Sequence, residues 1–250
     1  MTNFDYGIRS KWSDRQQTAA DIGQTFLQTL DALASIDPQL ADWCLADYVR
    51  HVGIPIAQAR TQITALIEQG AVRDDMGVNP NAGYRAFAAS TSNPSAIRSP
   101  RDFSFKILAG SRRRNEANFE AGYIDVPPIQ AIISFSTFKG ALIALISHWP
   151  CDWANTYAYA LGYDQTSPSA GVAPITYSIF HMPWMSYLPA TKAQGLVVPP
   201  PITTEKTPDG GLLMIATTNR FDPTNPDHLE RSRILSRIMI ERTGSAQGGP

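Results

Sequence analysis

The chain has 250 residues, long enough to bury a substantial core as one large domain or two small ones. Lysine plus arginine total 21 against 22 aspartate plus glutamate, a balance that argues against a general nucleic-acid binder, which needs a basic face to displace counterions from phosphate. Two cysteines, Cys44 and Cys151, make no disulfide framework. The opening MTNFDYGIRSKWSDRQQ lacks the apolar core of a signal peptide, and the apolar stretch around 141–146 is far short of the ~20 residues that span a bilayer. A cytoplasmic location with reduced thiols is therefore expected.

Phe4 to Trp12 is a short β-prone run. Ser13 with Gln16 fits a capping box, and Ile22, Phe26, Leu30 and Leu33 then recur at helical spacing, predicting a helix that ends near Ile36. Asp37-Pro38 reads as a fresh N-cap with proline at the first helical position. Leu40, Trp43 and Cys44 would line this short second helix. Ile56, Ala59, Ile63, Leu66 and Ile67 mark a third helix closed by Gly70.

After Gly70 the texture changes. RDDMGVNPNAG reads as a loop, Tyr84 opens a β-like stretch, and 90–100 reads as a second loop. Phe103, Phe105, Ile107 and Ala109 alternate with polar positions, as do Phe119, Ala121 and Tyr123. Both apolar sets are odd-numbered and must face one core, so paired residues must sum to an even number. Pairing Ile107 with Phe119 satisfies this, leaves Arg112, Arg113 and Arg114 as the loop, and sets Lys106 opposite Glu120.

Pro127-Pro128 opens the next segment, and Ile129 to Trp149 reads as a largely buried helix. HWPCDW follows, then a strand from Trp153 to Leu161, a loop over 162–174 and a strand over 175–180. MPWMSYLPATKAQGL reads as a short helix or irregular turn. VVPPPITTEKTPDGG is a proline-rich link ending in an Asp-Gly turn, and GLLMIATT has the continuous apolar character of a strand inside a sheet. Asn225-Pro226 caps a terminal helix with Ile234, Leu235, Ile238 and Met239 inside. These elements predict an α+β protein: a mixed, mostly antiparallel sheet with helices packed on it and an N-terminal helical segment. One domain is expected over 1–250, with a helical part at about 13–70, a sheet-rich part at about 84–242 and a disordered tail at 243–250.

HWPCDW holds the residue types of a nucleophilic or metal site. A cysteine nucleophile needs a base in reach and a lowered pKa, but Pro150 breaks the chain between His148 and Cys151. No second cluster completes a metal site, and the other histidines, His51, His181 and His228, stand singly. Trp149 and Trp153 read as apolar anchors around a proline turn, with Asp152 bonding nearby amides. RFDPTNPDHLE lacks the central glycine and terminal glutamate of a calcium loop, and neither a Walker loop nor a dinucleotide fingerprint appears. Charge is more informative. Arg112, Arg113 and Arg114 would project from a hairpin tip, and Asp74-Asp75 sits in an exposed loop. The plain reading of each is a solvated turn; the functional one is a partner surface that gains encounter rate and specificity from charge.

Four pieces in order carry a resemblance: ASIDPQLADW near the start, WPCDW midway, then PWMSYLP, and last GGLLMIATTNRFDPTNPDHL. Between Asp5 and Arg242 the chain resembles the immunity protein 52 family, found beside toxins of bacterial polymorphic-toxin and type VI secretion systems. It departs where the family has glycine ahead of the PWMSYLP tryptophan and this chain has Pro183. The resemblance implies a non-enzymatic inhibitor without cofactor or metal. Its partner would be a cognate toxin, with a restriction-endonuclease-like nuclease domain, encoded next door, and no direct nucleic-acid or membrane contact is implied. Buried aromatics would supply affinity and charged loops would select the partner. The candidate contact residues are Asp74, Asp75, Arg112, Arg113, Arg114, Glu116 and Glu120. Two rivals remain at this point: a thiol-dependent hydrolase using Cys151 with His148 or His181, and an adaptor that loads an effector onto secretion machinery.

Overall fold

Alternation along the first strand sends Tyr6, Ile8 and Trp12 to one side, where all three are buried. A computed structural model describes residues 4–79, 81–90, 103–121, 131–160 and 182–244. In chain order the elements are strand β1 (Phe4–Trp12), helix α1 (Ala19–Ile36), strands β2 (Cys44–Asp47) and β3 (Val52–Pro55), and helices α2 (Ile56–Ala59) and α3 (Ile63–Gln69). The small strands β4 (Arg73–Asp74) and β5 (Gly77–Val78) come next, then β6 (Tyr84–Ala89), β7 (Phe103–Ala109) and β8 (Asn115–Ala121). Helix α4 (Phe135–His148) leads to β9 (Trp153–Ala160) and β10 (Met182–Leu188). The single turn α5 (Ala190–Ala193), β11 (Thr203–Lys206), β12 (Leu212–Ile215) and the terminal helix α6 (Pro226–Thr243) complete the described chain.

Ten strands form one sheet in the order β11-β12-β10-β9-β1-β8-β7-β6-β2-β3, and every pairing in it is antiparallel. The α+β expectation holds. β1 lies inside the sheet, with β8 on one side and β9 on the other, so the first strand joins two groups of strands that come much later in the chain. Helices α1 and α4 cover one face: Phe26 packs on Phe105 and Phe138 on Tyr6 and Phe119. Neighbouring residues with opposite parity, Trp153, Leu188 and Met214, point to the other face and bury Leu235, Ile238 and Met239 of α6. The terminal helix thus presents the side its spacing predicts. Asn225 Oδ1 accepts from the Asp227 amide at 2.9 Å, and left-handed Gly244 ends the helix.

Several local expectations are corrected. The capping box before α1 is Thr18 with Asp21, not Ser13 with Gln16. Residues 13–18 form no helix, and the Ser13 amide is instead held by the Asp152 carboxylate at 2.8 Å. The turn after Asp37 is a 3-10 turn of three residues, and Cys44 already belongs to β2, paired with Ala89 and Pro55. Gly70 ends α3 without a left-handed cap. Its φ is −83°, and glycine is required because a Cβ there would lie 1.9 Å from the Arg85 carbonyl oxygen. RDDMGVNPNAG contains the β4–β5 hairpin. The helix expected over 129–149 is interrupted at 133–134: residues 131 and 132 are helical, and α4 starts afresh at Phe135, where the Ser134 hydroxyl accepts from the Thr137 amide. PWMSYL is strand, its side chains buried on both faces, with Pro183 accommodated where the register against β9 shifts. The readings placed on 91–100, Tyr123, 127–130, 161–180 and the tail from 245 lie outside the described residues.

The β7–β8 register is also corrected. Phe105 pairs with Phe119 and Ile107 with Ala117, so the even-sum rule holds but the pairing is two residues away from the expected one. The Asn115 side chain decides this. Its Oδ1 accepts from the Ser111 amide at 2.8 Å and its Nδ2 donates to the Ser111 carbonyl at 2.9 Å, which fastens the base of a longer loop. Lys106 therefore faces Asn118, but its Nζ still reaches Glu120 diagonally, at 2.6 Å.

Candidate binding surface

HWPCDW connects α4 to β9. Trp149 is fully buried, stacks on Trp12 with ring centroids 5.5 Å apart, and donates from Nε1 to Thr29 Oγ1 at 2.8 Å. The Asp152 amide donates to the Lys11 carbonyl at 2.8 Å while its carboxylate holds Ser13, so the turn clamps the β1–α1 link. Cys151 is buried, and its thiol is pushed up to about 12 by burial first and then by the charges of Asp152 and Asp209. Burial lowers the pKa of His148, and among the described residues no hydrogen bond joins it to Cys151. A thiol in that setting carries no thiolate at neutral pH. His181 lies outside the described residues.

The charged candidates fall into two groups. Asp74 and Asp75 sit on the β4–β5 hairpin, where Asp74 Oδ1 accepts from the Met76 amide at 2.9 Å and Oδ2 from Asn79 Nδ2 at 2.8 Å. The Asn81 amide donates to Asn79 Oδ1 at 3.0 Å, and the Arg112 amide donates to the Asn81 carbonyl at 2.9 Å. This relay of short-range bonds brings the acidic hairpin and the arginine turn to the same end of the sheet. Met76 stands between them in sequence and is 96% exposed. Arg112, Arg113 and Arg114 are all exposed.

Glu116 and Glu120 lie on the outer face of β8. Arg114 pairs with Glu116 at 2.9 Å and Lys106 with Glu120 at 2.6 Å. Four residues of strand separate the two glutamates, roughly 13 Å at the usual rise, so only Glu116 adjoins the arginine turn. The sequence reading missed Arg9 and Lys11. They occupy the outward positions of β1 beside Glu116 and Asn118, and their odd-numbered alternation with Tyr6, Ile8 and Trp12 was the available signal.

A recess of about 270 Å³ beside the start of α6 is lined by Asn219, Asp227, His228 and Arg231, among others. Two of these side chains are engaged internally: Arg231 donates to the Ala216 carbonyl at 3.0 Å, and His228 Nδ1 accepts from the Asp222 amide at 2.9 Å. Among the described residues, no group of three His, Cys, Asp or Glu could hold a metal ion, and no helix is long and apolar enough to cross a membrane.

The fold is shared with Pseudomonas aeruginosa T6SS protein PA0821, at a TM-score of 0.55 and 10% identity over 96% of this chain and 76% of that one. A lombricine kinase structure aligns at a TM-score of only 0.29 with 10% identity, over 97% of this chain and 67% of that one, and carries no argument. No curated protein matches. The family model for immunity protein 52 matches residues 126–244. The chain resembles that family, as its motifs imply, and the match takes in WPCDW, PWMSYLP and the strand leading into RFDPTNPDHL. The ASIDPQLADW piece lies before it.

Proposed function

We propose that this protein is an immunity protein that binds a cognate toxin and neutralises it by occupying its active site. The observation that carries this reading is the immunity protein 52 match over residues 126–244. The toxin, on this reading, is a nuclease of the restriction-endonuclease-like kind, encoded by the adjacent gene and met in the cytoplasm. Asp74 and Asp75 imitate phosphates at its substrate cleft. Arg112, Arg113 and Arg114 engage its metal-binding carboxylates, and Glu116 and Glu120 complete the charged rim. Opposite charge across an interface raises the encounter rate and excludes partners with the wrong pattern.

The burial of Cys151, which pushes its thiol pKa up, speaks against a thiol nucleophile at this position. Co-expression of the protein with the adjacent open reading frame tests the reading. Growth should be rescued by the wild type and equally by Cys151→Ser. Lack of rescue by the wild type would sink it, and rescue lost only in the serine variant would turn the case to a thiol enzyme.

A further inference from the structure

We propose that Arg9, Lys11 and Arg114 form a carboxylate-binding site on the outer face of the sheet beside the β7–β8 turn, and that its occupant in the complex is an acidic side chain of the toxin. The choice of occupant rests on the immunity reading; the site itself stands on the following geometry. Arg9 and Lys11 alternate on β1 and so share its outer side. Lys11 is paired across the ladder with Glu116 on β8 and Trp153 on β9, and Arg9 with Asn118 and Asn155. Arg114 enters from the turn ahead of β8.

Three cations gather there around one carboxylate. Glu116 is already taken by Arg114 at 2.9 Å, and among the described residues Lys11 has no ion pair of its own. Burial, followed by the repulsion of Arg114 and Arg9, brings the Lys11 pKa down to about 8, and the opposing pull of Glu116 is the smallest of these influences. The positive charges therefore outweigh the negative one at this spot, although the whole chain has a net charge of −1. An incoming anion relieves that repulsion.

The cations are also held in place. Arg9 Nε donates to Asn118 Oδ1 at 2.9 Å and its guanidinium lies 5.8 Å from the Tyr157 ring, while Lys11 Nζ lies 5.5 Å from the Trp153 ring. A site whose side chains are ordered beforehand loses less entropy on binding. A compact carboxylate suits it better than a nucleic-acid backbone, because Glu116 and Glu120 lie along the same face and would repel a continuous run of phosphates.

The charged groups facing Lys11 are Arg9 on its own strand and Arg114 and Glu116 from β8 and its turn. A bound carboxylate raises the Lys11 pKa. Affinity is therefore steady below the free value and falls as pH climbs above about 8.

The test is NMR of the full chain with carbon-13 lysine, titrated with a capped peptide holding a single glutamate between alanines and, separately, with a short DNA oligonucleotide. The peptide should shift the Lys11 signal saturably and raise its pKa. Lys11→Gln and Arg114→Gln should each weaken binding about fivefold or more, while Arg237→Gln, an equal charge change on the exposed side of α6, should not. An unmoved Lys11, equal loss in the Arg237 variant, or tighter binding of the DNA would overturn the site. Growth rescue then separates site from partner. Weaker rescue by Lys11→Gln than by wild type supports the occupant, and equal rescue overturns the occupant while leaving the immunity reading intact. Peptide binding without any wild-type rescue overturns the immunity reading and the toxin as occupant.

Discussion

At the scale of single residues, burial and local bonds decide which chemically capable groups stay silent. Cys44 and Cys151 are both buried, and burial raises the pKa of each. Neither thiol should react with an aromatic disulfide reagent until denaturant is added, which absorbance of the released thiolate measures directly. Asp209 behaves in the opposite way. Burial raises its pKa, but hydrogen bonds from Thr207, Tyr187 and the Gly211 amide outweigh that and hold the carboxylate below its usual range. A folded pKa below the unfolded one gives stability that is present above the unfolded value and lost as pH falls through the folded one. Asp209→Asn should therefore lower the melting temperature at neutral pH, and the gap between variant and wild type should close below about pH 4. A constant gap across the acid range would show that packing, rather than charge, is responsible. The residue types in HWPCDW were plain in the sequence. Their silence was not, because it depends on Trp12, Thr29 and the link after β1, all more than a hundred positions away.

At the scale of elements, the helix faces and strand alternations were legible because period alone sets them. The β7–β8 register was legible only to parity. Apolar alternation cannot distinguish pairings two residues apart, and the choice falls to Asn115, which is fully buried and also donates to the Ser13 carbonyl at 3.0 Å. Asn115→Ala removes the bonds that close this loop and leaves the Ser111 amide and carbonyl without those partners. A cost of about 2–4 kcal/mol in urea unfolding is expected, with broadened amide signals across 110–116. A change within experimental error would mean that the register is held by Phe105 and Phe119 alone. PWMSYL misled for a related reason. Its alternation vanishes because α4 covers one face of β10 and α6 the other, and a strand buried on both faces has no polar side to show.

At the scale of the whole molecule, the acidic hairpin and the arginine turn meet at one end of the sheet, and the β1 cations adjoin that turn. If this end carries the encounter with the toxin, replacing Asp74, Asp75, Arg112, Arg113 and Arg114 together by alanine should slow association and flatten its dependence on salt, with little change in melting temperature. Charges within a Debye length, roughly 10 Å at 0.1 M salt, govern that dependence. Stopped-flow association at several ionic strengths is the measurement, and an unchanged salt slope would remove these residues from the interface.

The linear order of residues was enough by itself for the α+β class, the faces of α1 and α6, the cap at Asn225 and the family resemblance, because each depends on spacing over a few turns or on short ordered motifs. Tertiary structure alone decided that the first strand lies between β8 and β9, that Trp149 closes over Trp12, and that Lys11 shares a surface with Arg114. Those outcomes come from contacts between segments far apart in the chain, which no local period encodes.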